Sequence, residues 1–526
     1  MKKIDRKILI PLAAIGLSCT MSSVCAESAG AWVIETQSDW SAALAEQTDV
    51  ELNDGQLAPT QKQASFSSVV QSFKQKRKLD SIEFAQSTVW QNWEPIKFTQ
   101  PNMTNAPIAI SCGPNDYWIL GNYRTFENMS KLLDRQRLHY ERRNKGGEPF
   151  VPPYNIVDFV PETVTLEGYD VPLETTPYPN QYRLKNPHVD YKVGGYHGWH
   201  SRDMVNWVHY GSMGRAGMAT TAEYVDGELY LYYDQPNDRD PHLIINRDMK
   251  GGGPAEMMGM VFDAPWAGSD CVVIRDLEGK FHMISENWGP VDASERSWDS
   301  PLATHVVSPD GINDFQVVGH AVDARTEPTG VMATFKHPHW GDDNVVEYEV
   351  HEPEQEAYGD WAAIAIGGQY YLFSDYDPAG GHNMSVGIFT SSSIDEPFTW
   401  CGNLGDGHPD PDIMFAEGRF YLATQTKSDF VSPGPWVETV EARVGVDTTG
   451  DGEINEWSDW QETSEQYDYI PGFAKQVAKT PAKLDLSDLP AGYGFQFEVR
   501  MTDTTENESK PILDKVVLSY AKEGAQ

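Results

Sequence analysis

Three aspartates stand at matching places in a pattern that repeats along the chain. Asp270 precedes an apolar run that turns at Gly279 into the segment Lys280 to Met283. Asp360 precedes one that turns at Gly368 into Gln369 to Leu372, and Asp410 one that turns at Gly418 into Arg419 to Leu422. Carboxylates gathered into one hollow repel, so at least one is driven to hold its proton near neutral pH while its neighbours stay ionised. A protonated acid facing an ionised one is the equipment for breaking a glycosidic bond: one protonates the leaving oxygen, the other activates water or attacks the anomeric carbon. Asp270, Asp360 and Asp410 are therefore the candidate acid/base set. Glu286, which ends a strand beside Trp288, joins them as a candidate acid because an aromatic wall raises a carboxyl pKa by desolvation.

The aspartates meet only if the elements carrying them converge. Each acid opens an alternating run, a Gly turn follows, and an aromatic-rich run answers it, which is a β-hairpin. Weaker copies lie at Asp226 to Leu231 and at Asn115 to Leu120. Hairpins recurring at such intervals predict the blades of a propeller, whose first strands gather round one axis. The expected fold is all-β: a five-bladed β-propeller with a small accessory β-layer formed by the N- and C-terminal segments. Residues 1–26 read as a signal peptide, 27–107 as an accessory segment, 108–435 as the propeller and 436–526 as accessory strands. The tail from Gln496 to Tyr520 is expected to pair with residues 79–100.

The first residues support export. Lys2, Lys3, Arg6 and Lys7 flank an apolar run from Ile8 to Leu17, and Val24 to Ala26 makes a small-residue exit, which predicts cleavage near Ala26 and a secreted or periplasmic protein. No internal apolar run approaches the roughly 18 residues a bilayer crossing needs. A formal net charge of -38 argues against nucleic acid as partner, since a phosphate backbone is bound by clustered Lys and Arg. It also makes a highly anionic polymer the harder substrate. The cysteines outside the signal, Cys112, Cys271 and Cys401, are odd in number and describe no disulfide framework; beside blade strands they read as buried small residues.

Around the acids, the long excursions supply residues for holding a sugar. His337, His339 and Trp340 lie in one Pro-stiffened segment, His408 lies just before Asp410, and Arg325 and Trp298 sit in the flanking excursions. His200, between Trp199 and Arg202, is a further binding candidate. With Tyr196 and Arg202 it would alternatively serve a lyase, Arg neutralising a uronate while His or Tyr moves the proton. A third alternative is a carbohydrate-binding propeller without catalysis. Asp447, Thr449 and Asp451 match the front half of a calcium loop, but position twelve is Ser458 rather than Glu, so a structural calcium is a candidate and no other cofactor is required. No paired-Cys or HExxH spacing, phosphate loop or GxSxG motif is present.

The segment His200 to Trp207 resembles the S-x-D-x-x-x-W turn of the five-bladed glycosidases of families 43, 32 and 117, and Asp226 to Tyr233 and His408 to Ile413 resemble their blade-opening patterns. The resemblance spans residues 108–430. It implies hydrolysis of glycosidic bonds in plant or algal polysaccharides or their oligosaccharides by carboxylates on inner strands. The chain departs from family 43 at the second blade, which opens on Met218 to Thr221 where an acid is expected. This places the candidate acids on blades three to five.

Overall fold

The computed structural model describes residues 30–522 apart from 88–92, 96–102, most of 144–191, 236–239, 251–254, 265–267, 288–301, 323–327, 337–344, 352–355, 379–383, 405–409, 425–438, 503–510 and a few single positions. Strands dominate, and the sheets are arranged as a propeller. The first blade runs through Met103–Ser111, Tyr117–Tyr123, Gly195–Ser201 and Asn206–Gly214. The second comprises Met218–Val225, Glu228–Asp234, Pro241–Asn246 and Ala255–Met260, and the third Val272–Arg275, Phe281–Glu286, Ala303–Ser308 and Gln316–His320. The fourth is Ala357–Ile366, Gln369–Asp377, Ser385–Ser391 and Thr399–Leu404. These four sheets carry four-stranded meanders. The last sheet has three described strands, Asp412–Ala416, Arg419–Ala423 and Trp93–Pro95.

The first strands of these five sheets touch one another in chain order, and Asp412–Ala416 returns to Met103–Ser111. The ring is therefore closed. Closure draws on the N-terminal side of the chain, because Trp93–Pro95 runs parallel to Arg419–Ala423. Alternation along the inner strands explains the packing. Val272, Ile274, Ile284 and Ala303 meet Trp361, Ala363, Ala365 and Leu372 of the next blade in one buried cluster. Apolar faces between blades remove each sheet's side from water.

The accessory layer is larger than expected, a twelve-stranded sheet assembled from both chain ends. Ile512–Lys522 pairs with Gln71–Ser87, Leu518 opposite Ile82 and Tyr520 opposite Leu79. Edge-on aromatic contacts join Trp40 to Phe66, and Phe66 and Phe84 to Phe497, at 6.0–6.1 Å. A helix over Gln37–Ala43 starts on Thr36, whose hydroxyl accepts the Asp39 N–H while Asp39 accepts that of Thr36. An 18-residue helix, Phe126–Arg143, follows the second strand of the first blade. No described helix is long and apolar enough to cross a membrane. Cys112, Cys271 and Cys401 are all free thiols; Cys271 is buried, but Cys401 is exposed on an outer strand, contrary to the expectation of a buried residue.

Candidate functional site

Each of the three aspartates occupies the same unusual backbone conformation. Asp270, Asp360 and Asp410 have φ of 43°, 49° and 39°, in the left-handed region where Asp is tolerated and branched residues are strained. Each sits where its inner strand begins or bulges; in the fourth blade the register slips between Gly359 and Ala362. The Asp360 residue keeps partial exposure at the mouth, as does Asp270, while Asp410 is buried.

A second ring of acids stands behind the first. Thr221 pairs with Tyr232, Val272 with Ile284 and Ala362 with Phe373. Two residues beyond those partners lie Asp234, Glu286 and Asp375, all buried. They orient the first ring. The Asp270 N–H donates to Asp234 Oδ2 at 3.0 Å, and the Asp410 N–H to Asp375 Oδ1 at 2.8 Å. Glu286 accepts from the Ser269 hydroxyl at 2.5 Å, so it is tethered to the residue preceding Asp270. Sequence reading missed Asp234 and Asp375. Their signal was available in the repeated endings Tyr232 to Asp234, Ile284 to Glu286 and Phe373 to Asp375, each an acid closing an aromatic or aliphatic second strand.

The geometry converges on the fourth and fifth blades. Oxygens of Asp360, Asp375 and Asp410 all lie within 4.8 Å of one another. Burial, then the charges of Asp410, Asp270, Asp375 and Glu286, hold the Asp360 carboxyl well above the usual carboxylate range. The carboxyl is thereby biased toward its protonated form amid carboxylates, the bias that acid-assisted bond cleavage uses. The spacing would also let these oxygens ligate a hard cation; theirs is the one such acidic group among the described residues.

The other residues expected at the site fall into two groups. Arg325, His337, His339, Trp340, His408 and Trp298 lie outside the described residues, as does Trp288. His200 is described, and its place corrects the expectation. It pairs with Trp118, next to the hairpin turn that ends the first inner strand, and so belongs to the end of the propeller away from the acids. Its ring is 2% exposed and meets Asp116 at 2.9 Å. His200→Ala is therefore expected to leave turnover unchanged and to cost about 2 kcal/mol of stability, the size of removing a buried polar interaction, read by denaturant unfolding. Tyr196 is fully buried, its hydroxyl donates to the Ala219 carbonyl at 2.9 Å, and burial followed by the nearby acids pushes its pKa up. His197 meets His209 at 2.9 Å, and burial drives its pKa down to about 3.

The Asp447 loop is closed on itself. The carboxylate accepts the N–H groups of Thr449, Gly450 and Gly452 at 3.0, 2.6 and 2.9 Å. These bonds outweigh its burial and hold its pKa below the usual range. Asp451 accepts from the Glu453 N–H at 3.0 Å.

No family model matches the chain, and no curated protein matches it. Among solved structures it is similar to a family-43 arabinoxylan arabinofuranohydrolase from Bacillus subtilis in complex with cellotetraose, at 11% identity over 83% of this chain and 99% of that one, TM-score 0.34. A thermostable family-43 glycoside hydrolase is 10% identical over 76% of this chain and 98% of that one, TM-score 0.33. An exo-β-1,3-galactanase from Clostridium thermocellum is 12% identical, TM-score 0.32; the match covers 78% of this chain and 65% of that one, so the chain spans about two thirds of its length. At these values the likeness decides nothing about chemistry; the acids of this chain have to.

Proposed function

We propose that the protein is a secreted glycoside hydrolase that cuts glycosidic bonds in a polysaccharide of algal or plant origin, or in its oligosaccharides. The observation that carries this reading is the meeting of Asp360, Asp375 and Asp410 oxygens within 4.8 Å, where burial and the neighbouring acids push the Asp360 carboxyl toward its protonated form. Asp360 donates that proton to the leaving oxygen. Asp410, across from it, engages the anomeric carbon, and Asp375 fixes Asp410 through its backbone N–H. Asp270 and Glu286 surround the pair and add the negative charge that keeps the Asp360 proton in place. Such a field repels uronates and sulfates and suits a neutral sugar ring at the point of cleavage. The segment before Ala26 supplies the export signal, and the chemistry asks for no cofactor.

Hydrolysis and β-elimination leave different products. Incubation with a panel of neutral and acidic algal and plant polysaccharides is expected to release reducing ends from a neutral glycan without new absorbance near 235 nm, roughly where an unsaturated uronate absorbs. Absorbance there would select the lyase instead. Binding without products from any glycan would make the propeller a binding module.

A further inference from the structure

The accessory sheet carries a hollow on its outer face. Along its neighbouring strands, alternation sends Ala442, Val444, Val499, Met501, Ala64 and Phe66 into the buried core. The residues between them turn outward in register: Arg443 opposite Glu498, Glu498 opposite Ser67, and Ser67 opposite Glu46. Glu441, Arg500, Ser65 and Thr48 form the next such row. A polar outer face is ordinarily solvated and nothing more. Here a tryptophan closes one side of it.

Glu456–Trp457 and Gln461–Glu462 pair along the free edge of Thr439–Asp447 and bring Trp457 and Trp460 over the face. The Arg443 guanidinium lies 4.4 Å from the Trp457 ring centre and 4.9 Å from that of Trp460, and the Arg500 guanidinium 3.8 Å from Trp460. Two cations against one indole hold it in place. Between Trp460 and the strand Leu44–Thr48 opens a hollow of about 230 Å³, with Glu46 and Thr48 at its side and Ser65, Ser67, Glu498 and Arg500 at its base.

Glu498 is already neutralised, since its Oε2 accepts from Arg443 Nε and Nη2 at 2.7 and 2.6 Å. Arg500 is exposed and enters no ion pair or hydrogen bond among the described residues, so its N–H donors stay available to a ligand. Against that cation stand the exposed Glu46 carboxylate and the hydroxyls of Thr48, Ser65 and Ser67, which accept as well as donate. The lining is balanced in charge, mixed in donors and acceptors, and aromatic on one side. Vicinal hydroxyls of a sugar match that mixture: they donate to Glu46 and accept from Arg500 while the apolar edge of the ring meets Trp460. An anionic ligand gains one cation but meets Glu46, Glu498 and a chain of net charge -38. The volume lies below the roughly 300 Å³ at which pockets for larger ligands begin, which suits one or two sugar rings.

We propose that this hollow is a second carbohydrate site, which takes a neutral glycan without cutting it and keeps the propeller on its polymer. That last role rests on the glycosidase reading; glycan binding does not. The chain leads from Trp460 through Thr463, whose hydroxyl accepts from the Gln86 side chain at 3.0 Å, into the hairpin Gln466–Tyr469 and Gln476–Thr480. The second strand of that hairpin joins the fourth inner strand at Ala365 and Ile366. A glycan held at Trp460 is therefore held by a segment docked on the propeller itself.

Native gels cast with a neutral polysaccharide (galactan, xylan or agarose) or an acidic one (alginate or pectate) test the site, using the full chain with Asp360→Asn so that the polymer stays whole. At least one neutral polysaccharide is expected to retard the protein. Arg500→Ala and Trp460→Ala are each expected to raise the dissociation constant, read from mobility against polysaccharide concentration, about tenfold. Should Trp460→Ala not fold, Ser67→Phe fills the hollow while leaving the indole and its arginines in place, and the same loss is expected. Retardation by acidic polysaccharides alone, by none, or undiminished in Arg500→Ala and Ser67→Phe overturns the proposal. If the unmodified enzyme releases no product from any glycan while neutral gels still retard it through Arg500 and Trp460, the glycosidase reading falls and the binding site is upheld.

Discussion

Asp360→Asn is expected to lower turnover by about 10²- to 10⁴-fold, the range a general acid supplies, and to raise the melting temperature at neutral pH. The amide keeps the size of the side chain and, like Asp, accepts the left-handed φ of 49° found there. It cannot deliver a proton to a leaving oxygen. The gain in stability has a separate cause. In the folded protein the Asp360 carboxyl binds its proton more tightly than in the unfolded chain, because burial and four neighbouring acids disfavour its charge. Its contribution to stability is therefore greatest in acid and is lost as pH rises from the ordinary carboxylate range through its raised folded pKa. Asn carries no such penalty, so the variant's melting temperature should depend less on pH than the parent's. A variant that keeps its turnover removes Asp360 as the acid. One that melts lower at neutral pH shows that the carboxyl is not held protonated.

The repeat was legible because an uncommon backbone state selects an uncommon residue. A left-handed position at the head of an inner strand admits Asp readily, so the same letter recurs at 270, 360 and 410. The accessory pairing of Leu79 with Tyr520 was legible too, since both strands alternate apolar and polar residues. Asp234 and Asp375 escaped because an acid closing a strand reads locally as a solvated end; only the register, which puts them two residues past aligned pairs, shows that they face the axis. His200 was misplaced for a directional reason. A histidine between Trp199 and Arg202 looks like a sugar-binding cluster, yet the antiparallel third strand of its blade carries it away from the mouth. The buried Lys475, whose ammonium donates to Thr221 and to the Val273 carbonyl more than two hundred positions away, could not be found from the sequence, because nothing in its own segment marks it.

Asp410→Gly is expected to cost at least as much turnover as Asp360→Asn, and the product formed on rescue reports how the parent enzyme works. Inverting cleavage leaves room for a water between two carboxyl groups about 6.5–9.5 Å apart, whereas a retaining pair stands about 5–5.5 Å apart and one member attacks the sugar directly. One oxygen of Asp360 and one of Asp410 approach within 4.8 Å, which favours the closer, retaining spacing. The parent enzyme should then release its product with the substrate's own anomeric configuration, seen by proton NMR in the first minutes before mutarotation. Glycine is the right replacement because the residue has a φ of 39°, which alanine would occupy only under strain. It opens a hollow beside Asp375 that azide can enter. With an activated glycoside, azide should restore turnover in Asp410→Gly and yield a glycosyl azide of inverted configuration, because the small anion attacks from the face Asp410 occupied. Inversion by the parent enzyme would instead assign the partner of Asp360 to a more distant acid of the same ring, Asp270 or Glu286, and azide would then fail to rescue Asp410→Gly.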